Sequence, residues 1–385
     1  MTGMLGARWV EVKGRPTGFD FLRVGLSIAV ILIHSAAICN DLAFDHLLWG
    51  GALRPFAYGI LPCFFALSGF LVAGSLERND LVSFLTLRVI RIFPALVVEV
   101  LVAALLIGPL FTVLPLSQYF SDALFYKYFL NTLGDIQYVL PGVFLDLPGG
   151  RLINLQLWTV PYELKCYVLL SVAALLGLTR RHLAFLLVTF CGVLWMISQQ
   201  RIGFVELSND SSALGPLLVV SFLLGVIMYL ARHSIPLAVP LFAASVIAFA
   251  AMMYLPVNAM LVAIPIVYLT VYIGVLNPRA DYLAVLGNYS YGLYLYGYPV
   301  QQAVSALLPE WRVWYIHFPL SLALTLILAA FSWHFVESKV MSYRKPILRF
   351  VSGVAARLVS AVARLLPHRV GEGVVSAVSG RLGTT

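Results

Sequence analysis

The chain is 385 residues long, 61% hydrophobic and only 11% charged, with a mean hydropathy of +0.93. A soluble globular domain lies nearer half apolar and a quarter charged, so this composition excludes a soluble enzyme or a disordered chain and leaves an integral membrane protein. The net charge of +8 then reads as a basic cytoplasmic face rather than a nucleic-acid footprint. Cys39, Cys63, Cys166 and Cys191 show neither metal-ligand spacing nor a disulfide framework, so no metal is expected.

The expected architecture is an all-α, polytopic helical bundle. A cytoplasmic segment, 1–18, lacks the apolar core and cleavage site of a signal peptide. A membrane domain, 19–339, follows, and then a basic tail, 340–385. Crossing a bilayer takes roughly 20 mostly apolar residues. About ten such segments occur, near 21–39, 56–75, 89–111, 159–178, 183–199, 213–231, 236–253, 257–276, 284–306 and 314–336. The fifth to eighth are crowded, which leaves nine or eleven open. With the N-terminus inside, eighteen of the 25 basic residues fall in cytoplasmic segments, five outside and two within spans. That bias favours an even number of spans with both termini cytoplasmic.

The first span, "FDFLRVGLSIAVILIHSAAI", carries Arg23 and His34. Eleven residues at 100° each end about 20° past three full turns, so both side chains share one face, about 16 Å apart along the axis. Asp20, one turn before Arg23, is placed to pair with it. Ionisable groups inside a span are costly and usually functional, although a histidine bonded to a neighbouring helix is the plainer alternative. In the second span the small pair Ser68-Gly69 allows close helix approach. At the start of the third, Arg88 and Arg91 lie one turn apart on one face, before Pro94. Planar guanidinium forks there suit phosphates, and ordinary positive-inside anchoring suits them too.

The loop 112–158 is the one long connection, and it falls outside. Its Tyr119, Asp122, Tyr126, Asp135, Gln137, Tyr138 and Asp146 suit a carbohydrate or an interfacial belt equally. The fourth span opens with "LWTVPYELK". Glu163 and Lys165 are two apart and do not face each other. Glu163 follows the aromatic-proline turn Trp158 to Tyr162, placed either to orient His34, to bind a sugar hydroxyl, or to sit as a helix-start carboxylate. The ninth span packs five tyrosines, Tyr296 and Tyr298 among them, around Gly292 and Gly297. A polar cavity and a small-residue packing face are both open there. Glu337, at the inner end of the last span, is placed to pair with Arg88 or Arg91. In the tail, Val351, Val354, Leu358, Val362 and Leu365 recur at helical spacing, with Arg357 and Arg364 off that stripe. This reads as an amphipathic helix on the inner leaflet. No inverted internal repeat of the transporter kind is visible.

Arg-x10-His, "FFALSGFL", "RVIRIFPAL", "LWTVPYE", "GNYSYGLYLYGYP" and "WHFVE" occur in this order. Together, from Gly18 to Lys339, they resemble the bacterial acyltransferase 3 family of membrane O-acyltransferases, whose relatives include O-antigen and nodulation-factor acetylases. The resemblance implies a multi-pass bundle of about ten spans in the bacterial inner membrane. It implies acyl-CoA, with acetyl as the expected acyl group, as a cytoplasmic co-substrate with no tightly bound cofactor. The acceptor would be a hydroxyl of an extracytoplasmic or lipid-linked carbohydrate. It carries catalytic roles to His34, Arg23 and Glu163, and acyl-CoA binding to Arg88, Arg91, Ser68 and Gly69. Trp158, Tyr162, Tyr296 and Tyr298 are the expected substrate-cavity residues. Many members have a histidine after "SYGLYL"; this chain reads Tyr296-Gly297-Tyr298-Pro299, which concentrates proton chemistry on His34 as general base. The expected partners are acyl-CoA, a carbohydrate or glycolipid and the bilayer; no nucleic acid is expected, and the oligomeric state is open. The rival reading is a proton-coupled transporter or flippase, which composition alone fits as well. A lipid-linked glycosyltransferase would need an acidic metal-binding pair, for which Glu77 and Asp80 are a poor candidate.

Overall fold

A computed structural model describes residues 2–14, 16–199, 211–278 and 281–364. Arg15, Arg201, Arg279, Leu365, Arg369 and Arg381, which entered the charge count and the tail reading, lie outside the described residues. The chain is about 80% helical. A helix falls in each of the ten expected segments, some shorter than the segment: α1 (Gly18–Cys39), α2 (Arg54–Arg78), α3 (Leu81–Phe111), α4 (Val160–Leu175), α5 (His182–Gln199), α6 (Ser211–Leu230), α7 (Val239–Met252), α8 (Ala263–Gly274), α9 (Asp281–Leu307) and α10 (Trp314–Ser342). Among the described residues four of these, α1, α2, α3 and α10, are long and apolar enough to cross a membrane unaided. The tail forms an amphipathic helix, α11 (Arg344–Arg364), which packs along α3.

Local sequence explains where the elements begin and end. Asn40 closes α1 in the left-handed conformation, φ 55°, which asparagine tolerates better than most residues. Helix α3 starts eight residues before its expected apolar start, because Asp80 caps it, accepting from Ser83 N at 2.8 Å. Arg88 and Arg91 therefore sit two to three turns inside the helix instead of at its mouth. The neighbouring acid, Glu77, pairs with Arg232 at 3.0 Å and accepts from the Tyr229 hydroxyl, so both acids have structural roles.

Helices α1 and α9 lie side by side and run parallel. Gly287 meets Asp20, Ser27 Oγ donates to Ser290 O at 2.8 Å, and Gln301 Nε2 donates to Ile31 O and Ser35 Oγ, each at 2.8 Å. This register puts Arg23 and Ser290 at one end of a seam and His34 and Tyr298 further along it. Helices α2 and α6 pack closely against each other. A Cβ on Gly69 would fall 2.0 Å from Phe222 O, and one on Gly225 2.3 Å from Ala66 O, so each glycine admits the other helix's backbone.

Two features depart from the expected layout. Strand Thr2–Met4 pairs antiparallel with Pro236–Ala238, tying the N-terminal segment to the α6–α7 connection. The long connection 112–158 also enters the bundle. Tyr119, Tyr128, Asn131 and Asn154 are fully buried. Irregular backbone at membrane depth is tolerated only where protein covers it. Asn131 meets that demand here, donating to Tyr128 O and Gln137 O and accepting from Gln137 N.

Candidate active site

One cavity of about 160 Å³ opens where α1, α2, α3, α4 and α9 meet. Arg23 from α1, Ser68 from α2, Arg88 and Arg91 from α3, and Glu163 from α4 all line it. Residues far apart in the chain, from five helices, thus converge on one space.

Each cation is held differently. Arg23 Nη1 bonds Asp20 Oδ1 at 3.0 Å, as the one-turn spacing predicts. Arg91 Nη1 lies 3.8 Å from Glu337 Oε2. That carboxyl also accepts from Ser332 Oγ at 3.1 Å, and the Arg91 guanidinium lies 5.7 Å from the Tyr291 ring centre. Arg88 differs: among the described residues no carboxylate lies within ion-pair distance of it. Its Nη2 makes one long contact, 3.4 Å to Ser75 Oγ, and its buried Nε has no partner. A cation with idle donors beside a cavity is arranged to receive an anion.

Among the described residues Glu163 makes no hydrogen bond to His34. Its Oε1 accepts from Tyr167 OH at 2.5 Å, one turn on in α4, and Tyr167 also lines the cavity. The physical reason is position. The connection preceding α4 is buried in the bundle, so the start of this 16-residue helix, Thr159 to Glu163, shares a cavity with the arginines.

His34 lies apart from the cavity. Its ring meets Tyr298 edge-on, with centroids 5.1 Å apart. Its Nδ1 is buried and has no hydrogen-bond partner. The Tyr298 hydroxyl donates to Gly149 O at 3.3 Å.

The aromatic residues expected to line a substrate cavity do not line this one. Trp158 stacks edge-on against Tyr162 at 5.9 Å. Tyr162 faces α6, where a Cβ on Gly215 would strike its ring, and borders a shallow groove with Lys165. Tyr296 OH donates to Ser332 Oγ at 2.8 Å, between α9 and α10. Tyr291 and Tyr294 line the cavity in their place. Five residues separate Tyr291 from Tyr296, about 140° around the helix beyond one turn, which turns Tyr296 to the other side. Gly69 points at α6 and contacts no part of the cavity.

Two groups escaped the sequence reading. Tyr167 was detectable from its four-residue spacing to Glu163. Glu99, 1% exposed on α3, has neither carboxylate oxygen bonded. It was absorbed into an apolar run, although an acid within a span is itself a signal. Its neighbour Tyr128 comes from the re-entrant connection. Burial first, and then the Glu99 carboxyl, hold that phenol well above its ordinary range.

No solved structure matches the chain. An O-acetyl transferase of Shigella phage Sf6 is 26% identical over 356 residues, covering 86% of this chain and 97% of the phage protein. The acyltransferase domain profile of the acyltransferase 3 family matches residues 17–334. All the cavity residues and His34 fall within that match, and the chain belongs to the acyltransferase 3 family.

Proposed function

We propose that the protein is an O-acetyltransferase that moves an acetyl group from acetyl-CoA, on the cytoplasmic side, to a hydroxyl of an extracytoplasmic or lipid-linked carbohydrate. The observation that carries this reading is the convergence of Arg23, Arg88 and Arg91 with Ser68 and Glu163 on one cavity. Three guanidinium groups there suit the phosphates of a nucleotide donor. The family match and the phage relative supply the reaction class. In this reading ten helices span the inner membrane, both termini lie in the cytoplasm, and α11 rests on the inner leaflet.

The chemistry assigned to the chain's residues is simple. Arg88 binds donor phosphate, with Arg91 and Arg23 beside it. The acyl thioester extends along the α1–α9 seam toward His34. Neutral His34 takes the proton from the acceptor hydroxyl as its oxygen attacks the acyl carbon. The C–O ester bond forms, the C–S bond breaks, and the departing thiolate takes up the proton that the His34 imidazolium releases, giving the thiol and returning His34 to its neutral form. Glu163, held by Tyr167, orders the donor end of the site.

The test uses the full chain in detergent. Acetyl-CoA should bind, with release of thiol when acceptor is supplied. Arg88→Ala should weaken donor binding at least tenfold, and His34→Ala should bind donor normally but transfer nothing. Unchanged acetyl-CoA affinity in Arg88→Ala would remove its role. No acetyl-CoA binding by the unaltered protein would favour a carrier over a transferase.

A further inference from the structure

Leu61, Phe64 and Tyr294 line the arginine cavity, whereas His34 lies outside its lining. The register of α1 against α9 gives the order along the seam. Ser290 lines the cavity beside Arg23, Tyr294 comes one turn later, and Tyr298, against His34, one turn later again. Phe64, one turn from Ser68 on α2, meets the Tyr294 ring at 5.8 Å in an edge-to-face pair. Leu61, Phe64 and Tyr294 all pack on the cluster that contains Val30, one turn before His34, and Ile33, the residue next to it. The Tyr294 ring is fixed: its hydroxyl lies 2.6 Å from Thr159 Oγ1 and donates to Gln156 O at 2.8 Å.

From this arrangement we propose that Phe64 and Tyr294 form an aromatic septum that sets the length of the acyl group the site transfers. The inference rests on the donor reading above and adds its specificity. A thioester entering from the arginines reaches His34 only past this pair. A two-carbon acyl group presents little bulk there, whereas a longer chain must displace one ring or the other. Hydrophobic pockets discriminate a single methylene by roughly ten- to two-hundredfold when the wall cannot move. Tyr294 is tethered at its hydroxyl and Phe64 has only packing to hold it, so Phe64 is the specificity-determining side chain and Tyr294 the rigid backstop.

The experiment follows thiol release from acetyl-CoA, butanoyl-CoA and hexanoyl-CoA by the full chain in detergent, with surface glycan supplied as acceptor, in the unaltered protein and in Phe64→Ala and Phe64→Leu. The unaltered protein should prefer acetyl-CoA over hexanoyl-CoA by at least tenfold. Phe64→Ala should shrink that ratio at least tenfold, and Phe64→Leu, which guards against a folding defect, should shrink it less. Tyr294→Phe keeps the ring but cuts the tether, and should relax the ratio without abolishing acetyl turnover. A purely structural role would slow all three donors in proportion; an unchanged ratio in folded Phe64 variants overturns the septum and leaves the transfer reading intact. No turnover of any donor by the unaltered protein overturns both.

Discussion

Substituting Gly69 by alanine separates packing from ligand binding, because the two roles predict opposite outcomes. The added Cβ would lie 2.0 Å from Phe222 O, whereas real Cβ contacts stay beyond 3.0 Å. The obstacle is a backbone carbonyl inside α6, which has no rotamer to adopt. Helices α2 and α6 must therefore part by about 1 Å, and the fully buried Ala66, Phe70, Phe222 and Val226 lie along that seam. A radial gap of roughly 0.5–1 Å forfeits a quarter to a half of each dispersion contact. Overpacking of a rigid site costs about 1–3 kcal/mol, and the backbone clash places Gly69→Ala toward the upper end. Gly225→Ala meets Ala66 O at 2.3 Å and should cost a similar amount. Thermal unfolding in detergent measures the loss, and acetyl-CoA titration of the folded fraction measures the site. The expected result is a clearly lowered melting temperature with donor affinity unchanged. Normal melting with weakened acetyl-CoA binding would place Gly69 at the ligand and refute the packing assignment.

Three further outcomes follow from the same geometry. Tyr167→Phe deletes the donor to Glu163 Oε1, and a hydrogen bond to a charged group contributes about 1.5–3 kcal/mol; acetyl-CoA KM should rise several-fold while the helical circular-dichroism signal stays intact. Glu99→Gln keeps the shape of a carboxyl that no cation neutralises among the described residues, so melting should hold or rise; a drop of more than about 2 kcal/mol would reveal a partner for the charge. Arg91→Ala leaves the Glu337 carboxyl, 4% exposed, with Ser332 alone, and breaking such a pair costs about 3–5 kcal/mol when both partners are buried. Arg91 is about a third exposed, so the expected loss is nearer 1–2 kcal/mol, and Arg91→Ala combined with Glu337→Gln should recover part of it.

Much of the bundle was legible because membrane segments announce themselves through apolar runs, and a helix stands at each expected segment. Arg23, Asp20 and His34 could be placed on one face by helical arithmetic, and α1 keeps them there. The Arg91–Glu337 pair was open to inference because both residues fall near the same end of their spans. What escaped was set by contacts between distant residues. The connection 112–158 reads as an external loop by composition, yet its buried amides and tyrosines let it enter the bundle. That puts Glu163 in one cavity with the arginines, which no local pattern announces. Five tyrosines on α9 could be counted, but which of them face the cavity depends on how α9 is rotated against α1 and α3. Gly69 was legible as a small residue allowing close helix approach, and its near-contact with Phe222 O fits that reading; only its place beside a ligand came from resemblance.

The central claim is that one protein joins a donor cavity ringed by arginines to a histidine about 16 Å along the same helix. It is tested most directly by a single comparison in purified full-length protein: acetyl-CoA affinity and acetyl transfer to surface glycan, measured together in His34→Ala and Arg88→Ala. The account predicts that His34→Ala binds acetyl-CoA as the unaltered protein does and transfers no detectable acetyl group, while Arg88→Ala loses at least tenfold in affinity. Normal transfer by His34→Ala, with the protein folded in the membrane, would contradict it.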